Sequence, residues 1–71
     1  MPVCSGAEAI RAFERNRWKI IRQHGSHITL AKQGKPLVLT IPLHRELDRG
    51  LLRALIRKAG ISVAEFSRLL R

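Results

Sequence analysis

Trp18-Lys19-Ile20-Ile21-Arg22-Gln23-His24-Gly25-Ser26-His27-Ile28-Thr29-Leu30-Ala31-Lys32 is the stretch from which the rest of the chain can be ordered. Trp18 to Gln23 and Ile28 to Lys32 each alternate apolar with polar residues, the period of two expected of half-buried strands. The two runs form a hairpin joined by His24-Gly25-Ser26, in which Gly25 supplies the positive φ of a tight connection and Ser26 bonds locally to backbone. In the second run Ile28 and Leu30 share one side, so His27 and Thr29 fall on the other. In the first, Trp18 and Ile20 share a side opposite Lys19 and Ile21, with Ile21 a break in clean alternation. His27, first out of the loop, is the candidate for chemistry, because an imidazole both takes and gives a proton near neutral pH.

Working outward, Gln33-Gly34-Lys35 makes a second short turn, and Leu37, Leu39 and Ile41 give the buried side of a third strand ending at Pro42. Two short turns joining three strands imply an antiparallel meander. Upstream, Ser5 with Glu8 is a capping box opening a helix from Gly6 to Asn16, whose stripe is Ala9, Ile10, Ala12 and Phe13. Downstream, Asp48 caps a second helix beginning near Gly50, with Leu52, Leu55, Ile56 and Ala59 on the core side and Arg49, Arg53 and Arg57 along an exposed edge. Gly60 ends it. Ser62 and Glu65 form another capping box for a third helix, Val63 to Leu70, folding back through Phe66, Leu69 and Leu70. Trp18 and Phe66 belong to the core rather than to a base-stacking platform. The expected fold is α+β, a three-stranded antiparallel sheet with helices on one face in the order α-β-β-β-α-α, as one domain over residues 1–71.

Fourteen Lys and Arg against five Asp and Glu give this 71-residue chain a formal charge of +9. The partners such a charge suits are polyanions. A domain of this size buries only about 60% of its unfolded surface, so a site for substrate should be a surface groove, better matched to a polymer than to a small metabolite. Cys4 is alone, which excludes an internal disulfide and fits a reducing cytoplasm; near a frayed terminus it reads as incidental. The first residues lack a signal-peptide pattern, and the longest apolar run, Leu37 to Leu43, is interrupted by Thr40 and Pro42 and too short to span a membrane. Cys4, His24, His27 and His44 fit no standard zinc spacing, so neither a metal site nor a cofactor is expected.

Gly25-Ser26-His27, followed by Ile41-Pro42-Leu43-His44-Arg45-Glu46-Leu47 and by Gly50-Leu51-Leu52-Arg53-Ala54-Leu55-Ile56-Arg57-Lys58-Ala59-Gly60-Ile61, resembles the HicA (YcfA-like) family of toxin mRNA interferases. The likeness runs from Ala9 to Leu70. Gly-Ser-His alone is common by chance, and the ordered combination is what carries it. The resemblance implies a fold similar to double-stranded RNA-binding domains, ribonuclease activity on mRNA, and neutralisation by a HicB-type antitoxin, with assembly into a homo-oligomer or a mixed oligomer with that antitoxin left open. His27 matches the family's catalytic histidine; His44 matches the histidine of the Pro-x-His segment, with its role open. The chain departs from the pattern at Arg17-Trp18, where the family usually has Gly-Phe, and at Leu51, where it usually has Thr or a similar residue. An exposed Leu51 would mark a contact surface. His24 has no counterpart in the motif.

The chemistry can be argued without the family. RNA carries its own nucleophile, the 2′-OH, so cleavage without metal needs a base for that hydroxyl, an acid for the leaving 5′-oxygen, and positive charge beside the phosphorane. His27 serves as base or acid, Arg22 and Lys32 on the flanking strands contact phosphate, and His24 or His44 is the second proton-transfer group. Gly25, Ser26 and His44 complete the expected RNA-binding set. Two other classes fit the same sequence: an RNA-binding module that leaves RNA intact, and a protein-interaction domain without salt-sensitive RNA binding.

Overall fold

The computed structural model describes all of residues 1–71. Its elements run α1 (Gly6–Arg15), β1 (Lys19–His24), β2 (His27–Ala31), β3 (Leu39–Pro42), α2 (Arg49–Ala59) and α3 (Val63–Leu70). The three strands form one antiparallel sheet in the order β1-β2-β3, the expected meander. Ile28 and Leu30 of β2 and Leu39 and Ile41 of β3 are buried, and α1 and α2 both pack on β3. Phe13 of α1 and Phe66 of α3 meet with ring centroids 5.1 Å apart, tilted by 44°, a geometry that adds roughly 0.5–1.5 kcal/mol to the area they bury. Trp18 and Phe66 are core residues, as their apolar surroundings in sequence suggest.

Helix ends follow local chemistry. The Ser5 hydroxyl accepts from the Glu8 amide at 3.0 Å while Glu8 Oε1 accepts from the Ser5 amide at 2.8 Å, closing the first capping box. Asp48 accepts from the Leu51 amide, and Ser62 from the Glu65 amide, each at 3.0 Å. At their C-terminal ends α1 and α2 use one motif with different residues. In α2, the Gly60 amide bonds to the Arg57 carbonyl and that of Ile61 to Ile56; in α1, the Arg17 amide bonds to Glu14 and that of Trp18 to Phe13. Gly60 has φ 77° and Arg17 has φ 73°. A left-handed residue satisfies the last carbonyls of a helix, and glycine adopts it freely, whereas a side chain there costs about 1–2 kcal/mol. Arg17, standing where the resemblance expects glycine, ends α1 in the same way at that cost.

Three expectations fail. Trp18 is buried but precedes β1, and Ile20, though it pairs with the buried Leu30 and so faces the helical side as Trp18 does, is 48% exposed because β1 overhangs the helical layer. The bulge between Ile20 and Arg22 changes the alternation only beyond it, turning Arg22 and His24 outward. Leu37 is exposed, since strand pairing begins only at Leu39, opposite Leu30. Cys4 is not frayed: it is buried, and its carbonyl accepts from the Leu47 amide at 2.8 Å. Leu51 is half-buried against the core, so the exposure that would have marked a contact surface is not met there.

The segment after β3 is stitched to the β1–β2 loop and to the start of α1. The Leu43 amide donates to the Ser26 carbonyl at 2.8 Å, and the Gly6 amide to the His44 carbonyl at 2.9 Å. Gly6 is buried so tightly that a Cβ on it would lie 2.0 Å from the Pro42 carbonyl oxygen. The first turn of α1 can therefore sit on the end of β3 only without a side chain.

Candidate nucleic-acid groove

The β1–β2 connection is a two-residue loop, Gly25-Ser26, and His24 is the last residue of β1 rather than part of the turn. Gly25 has φ 61° and Ser26 does not have positive φ, the pattern of a type II′ turn, which places glycine first of the two central residues. This turn makes His24 and His27 direct cross-strand partners. Partners so placed have Cβ atoms about 4.5–5.5 Å apart and project from the same side of the sheet. One step further along the ladder on that side, Arg22 pairs with Thr29, which in turn pairs with Thr40.

These five side chains, Arg22, His24, His27, Thr29 and Thr40, line an open groove of about 380 Å³ on the face opposite the helices. Its floor is set by the Thr29 and Thr40 hydroxyls, 3.4 Å apart, with Thr29 itself buried. Both histidines and Arg22 are exposed. Gln23 Nε2 donates to the Gly25 carbonyl at 3.2 Å, bracing the loop from outside. No carboxylate lines the groove. Two imidazoles side by side offer a proton acceptor and a proton donor to one group between them, and the Arg22 guanidinium offers paired N–H donors matched to phosphate oxygens.

Of the residues singled out in the sequence, the structure gathers Arg22, His24 and His27. Gly25 and Ser26 shape the loop through backbone geometry and through the Ser26 carbonyl bond to Leu43. His44 lies two residues beyond Pro42, the partner of His27, and does not line the groove; its carbonyl holds the start of α1. Lys32 is five residues along from His27, past the other end of β2, where its Nζ donates to Asn16 Oδ1 at 3.4 Å. Thr29 and Thr40 were missed as groove residues. Their cross-strand pairing depends on the β2–β3 register, which no local pattern reveals. The signal for His24 was present: two histidines astride a two-residue loop must pair.

The sequence model for the family described as "HicA toxin of bacterial toxin-antitoxin" matches residues 6–61, from the start of α1 to just past α2, and so takes in every groove residue. No curated protein matches the chain. With most of its length inside that match, the chain belongs to the HicA family of toxins from bacterial toxin–antitoxin systems.

Proposed function

We propose that the protein is a metal-independent endoribonuclease that cuts mRNA at the two-histidine groove and is silenced by a HicB-type antitoxin. The observation that carries this reading is the direct pairing of His24 with His27, with Arg22 beside them on the same open face. One imidazole removes the proton from the ribose 2′-OH. The 2′-oxygen then bonds to phosphorus, and the bond from phosphorus to the 5′-oxygen breaks. The other imidazole delivers a proton to that leaving oxygen, giving a 2′,3′-cyclic phosphate and a 5′-hydroxyl. Arg22 stabilises the negative charge that builds on the phosphorane. His27 is the catalytic residue by its match to the family motif, and its neighbour on the ladder makes His24, rather than His44, the second proton-transfer group. An open groove on the sheet face suits an RNA strand, and the α-β-β-β-α core is consistent with a likeness to double-stranded RNA-binding domains.

Incubation of the purified protein with labelled RNA in EDTA tests the reading. Cleavage that yields cyclic-phosphate ends, and that His27→Ala abolishes while the variant stays folded, is the expected result. RNA bound in a salt-sensitive way but left intact by the wild type would instead establish a non-catalytic RNA-binding module. Inhibition follows from the same geometry: a small acidic partner covering the open face would bury His27 and engage Arg22. A complex with the antitoxin that leaves His27 open would overturn occlusion as the inhibitory mechanism.

A further inference from the structure

We propose that the pocket at the far end of the β1–β2 hairpin is a second phosphate-binding subsite for the RNA strand that is cut at the histidine groove. It rests on the ribonuclease reading and extends it to the length of strand engaged. The pocket is the larger of the two on the molecule, about 730 Å³, and is lined by Glu14, Arg17, Trp18, Lys19, Ala31, Lys32 and Gln33. Three cations face one carboxylate there. None of the three is in an ion pair, since Arg68 with Glu65 is the sole pair in the chain, and Lys32 bonds only to the neutral Asn16 side chain.

The pocket lies past the far end of the hairpin from the groove and opens from the outer face, through Lys19 and Ala31, toward the helical side, where Glu14, Trp18 and the Asn16-bonded Lys32 line it. Lys19 pairs with Ala31, and Ala31 lies on the same side of β2 as Thr29 and His27, so the outer face of the hairpin runs from the histidines at one end to this pocket at the other. The bulge at Ile21 makes this possible, because it brings Lys19 onto the side that carries Arg22 and His24. Four steps along β2 lead from His27 to Ala31, roughly 13 Å at strand rise. That matches about four stacked nucleotides at ~3.4 Å each.

Arg17 supplies the independent observation. It occupies, at φ 73°, the backbone position that Gly60 occupies in the equivalent motif of α2. A residue held in a conformation its side chain resists points to a use for that side chain. Here the side chain is one of the pocket's three cations.

The test uses His27→Ala protein, which holds RNA without cutting it, and a labelled strand of about twelve nucleotides, within the usual span of single-strand sites. Adding Arg17→Gly should leave the melting temperature equal or higher, yet weaken RNA binding and flatten the slope of log affinity against log salt by about 0.7, the share of one phosphate contact on a single strand. Adding Lys32→Ala to that should flatten it by about the same again. Arg11→Gln, an equal charge loss on the exposed side of α1, is the control. Slopes for Arg17→Gly and Arg11→Gln that coincide would overturn the subsite. So would intact RNA binding by Arg17→Gly together with weakened binding of the acidic antitoxin, which would give the pocket to the partner protein. Failure of the parent His27→Ala protein to bind any RNA would instead bring down the ribonuclease reading beneath it.

Discussion

His24 and His27 close the β1–β2 ladder as its last cross-strand pair, with only Gly25 and Ser26 between them. A positioned acid or base contributes typically about 10²- to 10⁴-fold to a rate. His27→Ala should lose cleavage by that order, and His24→Ala should do likewise. The double variant should be little worse than either single one, because two groups that move one proton in and one out act as a unit. Both side chains are exposed, so stabilities from urea unfolding should stay within about 0.5 kcal/mol of wild type. Initial rates on a fixed RNA, with the stabilities measured alongside, decide this; a His24→Ala enzyme at full rate would move the second role elsewhere.

Gly25→Ala separates turn geometry from residue chemistry. The position is open, with nothing within 4 Å of an added Cβ, so the penalty is the φ of 61° alone, about 1–2 kcal/mol. Cleavage should fall by more than the folded fraction does, since the turn sets how the two imidazoles face one another. Activity per folded molecule, with folding followed by circular dichroism, is the measurement.

Gly6→Ala should be among the most damaging single changes in the chain. The added methyl would meet the Pro42 carbonyl at 2.0 Å, a backbone atom in paired β3 that cannot turn aside. Overpacking of this kind costs about 3 kcal/mol, a large share of what a domain of this size has. Chemical denaturation should show a lowered midpoint, and hydrogen exchange should show loss of protection at the amides of Gly6 and Leu43 first.

Acid should weaken the start of α1. The Ser5 amide, then the Ser5 hydroxyl, with help from Arg11, hold the Glu8 carboxyl below its ordinary value of 4.5. A carboxyl whose folded value lies below its unfolded one contributes stability above the unfolded value, and that contribution disappears as pH falls through the folded one. Glu8→Ala should therefore be less stable than wild type at neutral pH, with the gap narrowing, to what a neutral capping acceptor contributes, once pH is well below 4.5. Glu8→Gln keeps a capping acceptor and should lie between them at neutral pH. Thermal midpoints across pH 2 to 7 provide the check.

Cys4 should resist alkylation in the native protein. Burial pushes its thiol above the ordinary value of 9.0, and the nearby Glu8 charge adds to the effect. The thiolate is the nucleophile, so iodoacetamide labelling should be slow at pH 8 and should accelerate sharply in denaturant.

The helices were legible in the sequence because their signals are local: Ser5 with Glu8, Asp48, and Ser62 with Glu65 each announce an end within a single turn. The meander and the outward side of His27 followed from the alternation around Ile28 and Leu30, which sits in the one strand paired on both sides. β1 was misread because Ile21 is an extra residue whose insertion is visible only against a partner strand. Cys4 was misread because its burial is bought by a bond to Leu47, over forty residues away. Of the candidate groove's lining, Arg22, His24 and His27 are singled out in the sequence, whereas the threonine floor and the far pocket depend on which strands lie side by side.

The bulge at Ile21 also bears on how the toxin behaves in company. β1 is a free edge carrying Ile20 and Ile21, 48% and 58% exposed, and a flat apolar edge of that kind is a template on which further chains can stack. An extra residue breaks the row of backbone groups and sharpens its twist, which spoils it as a template. Removing Ile21 would leave every pairing of β1 with β2 in place while straightening that edge. The shortened chain would fold to the same sheet, with Lys19, Arg22 and His24 still on one side, and would be expected to come out of solution as concentration rises, so the irregularity is what keeps the molecules apart.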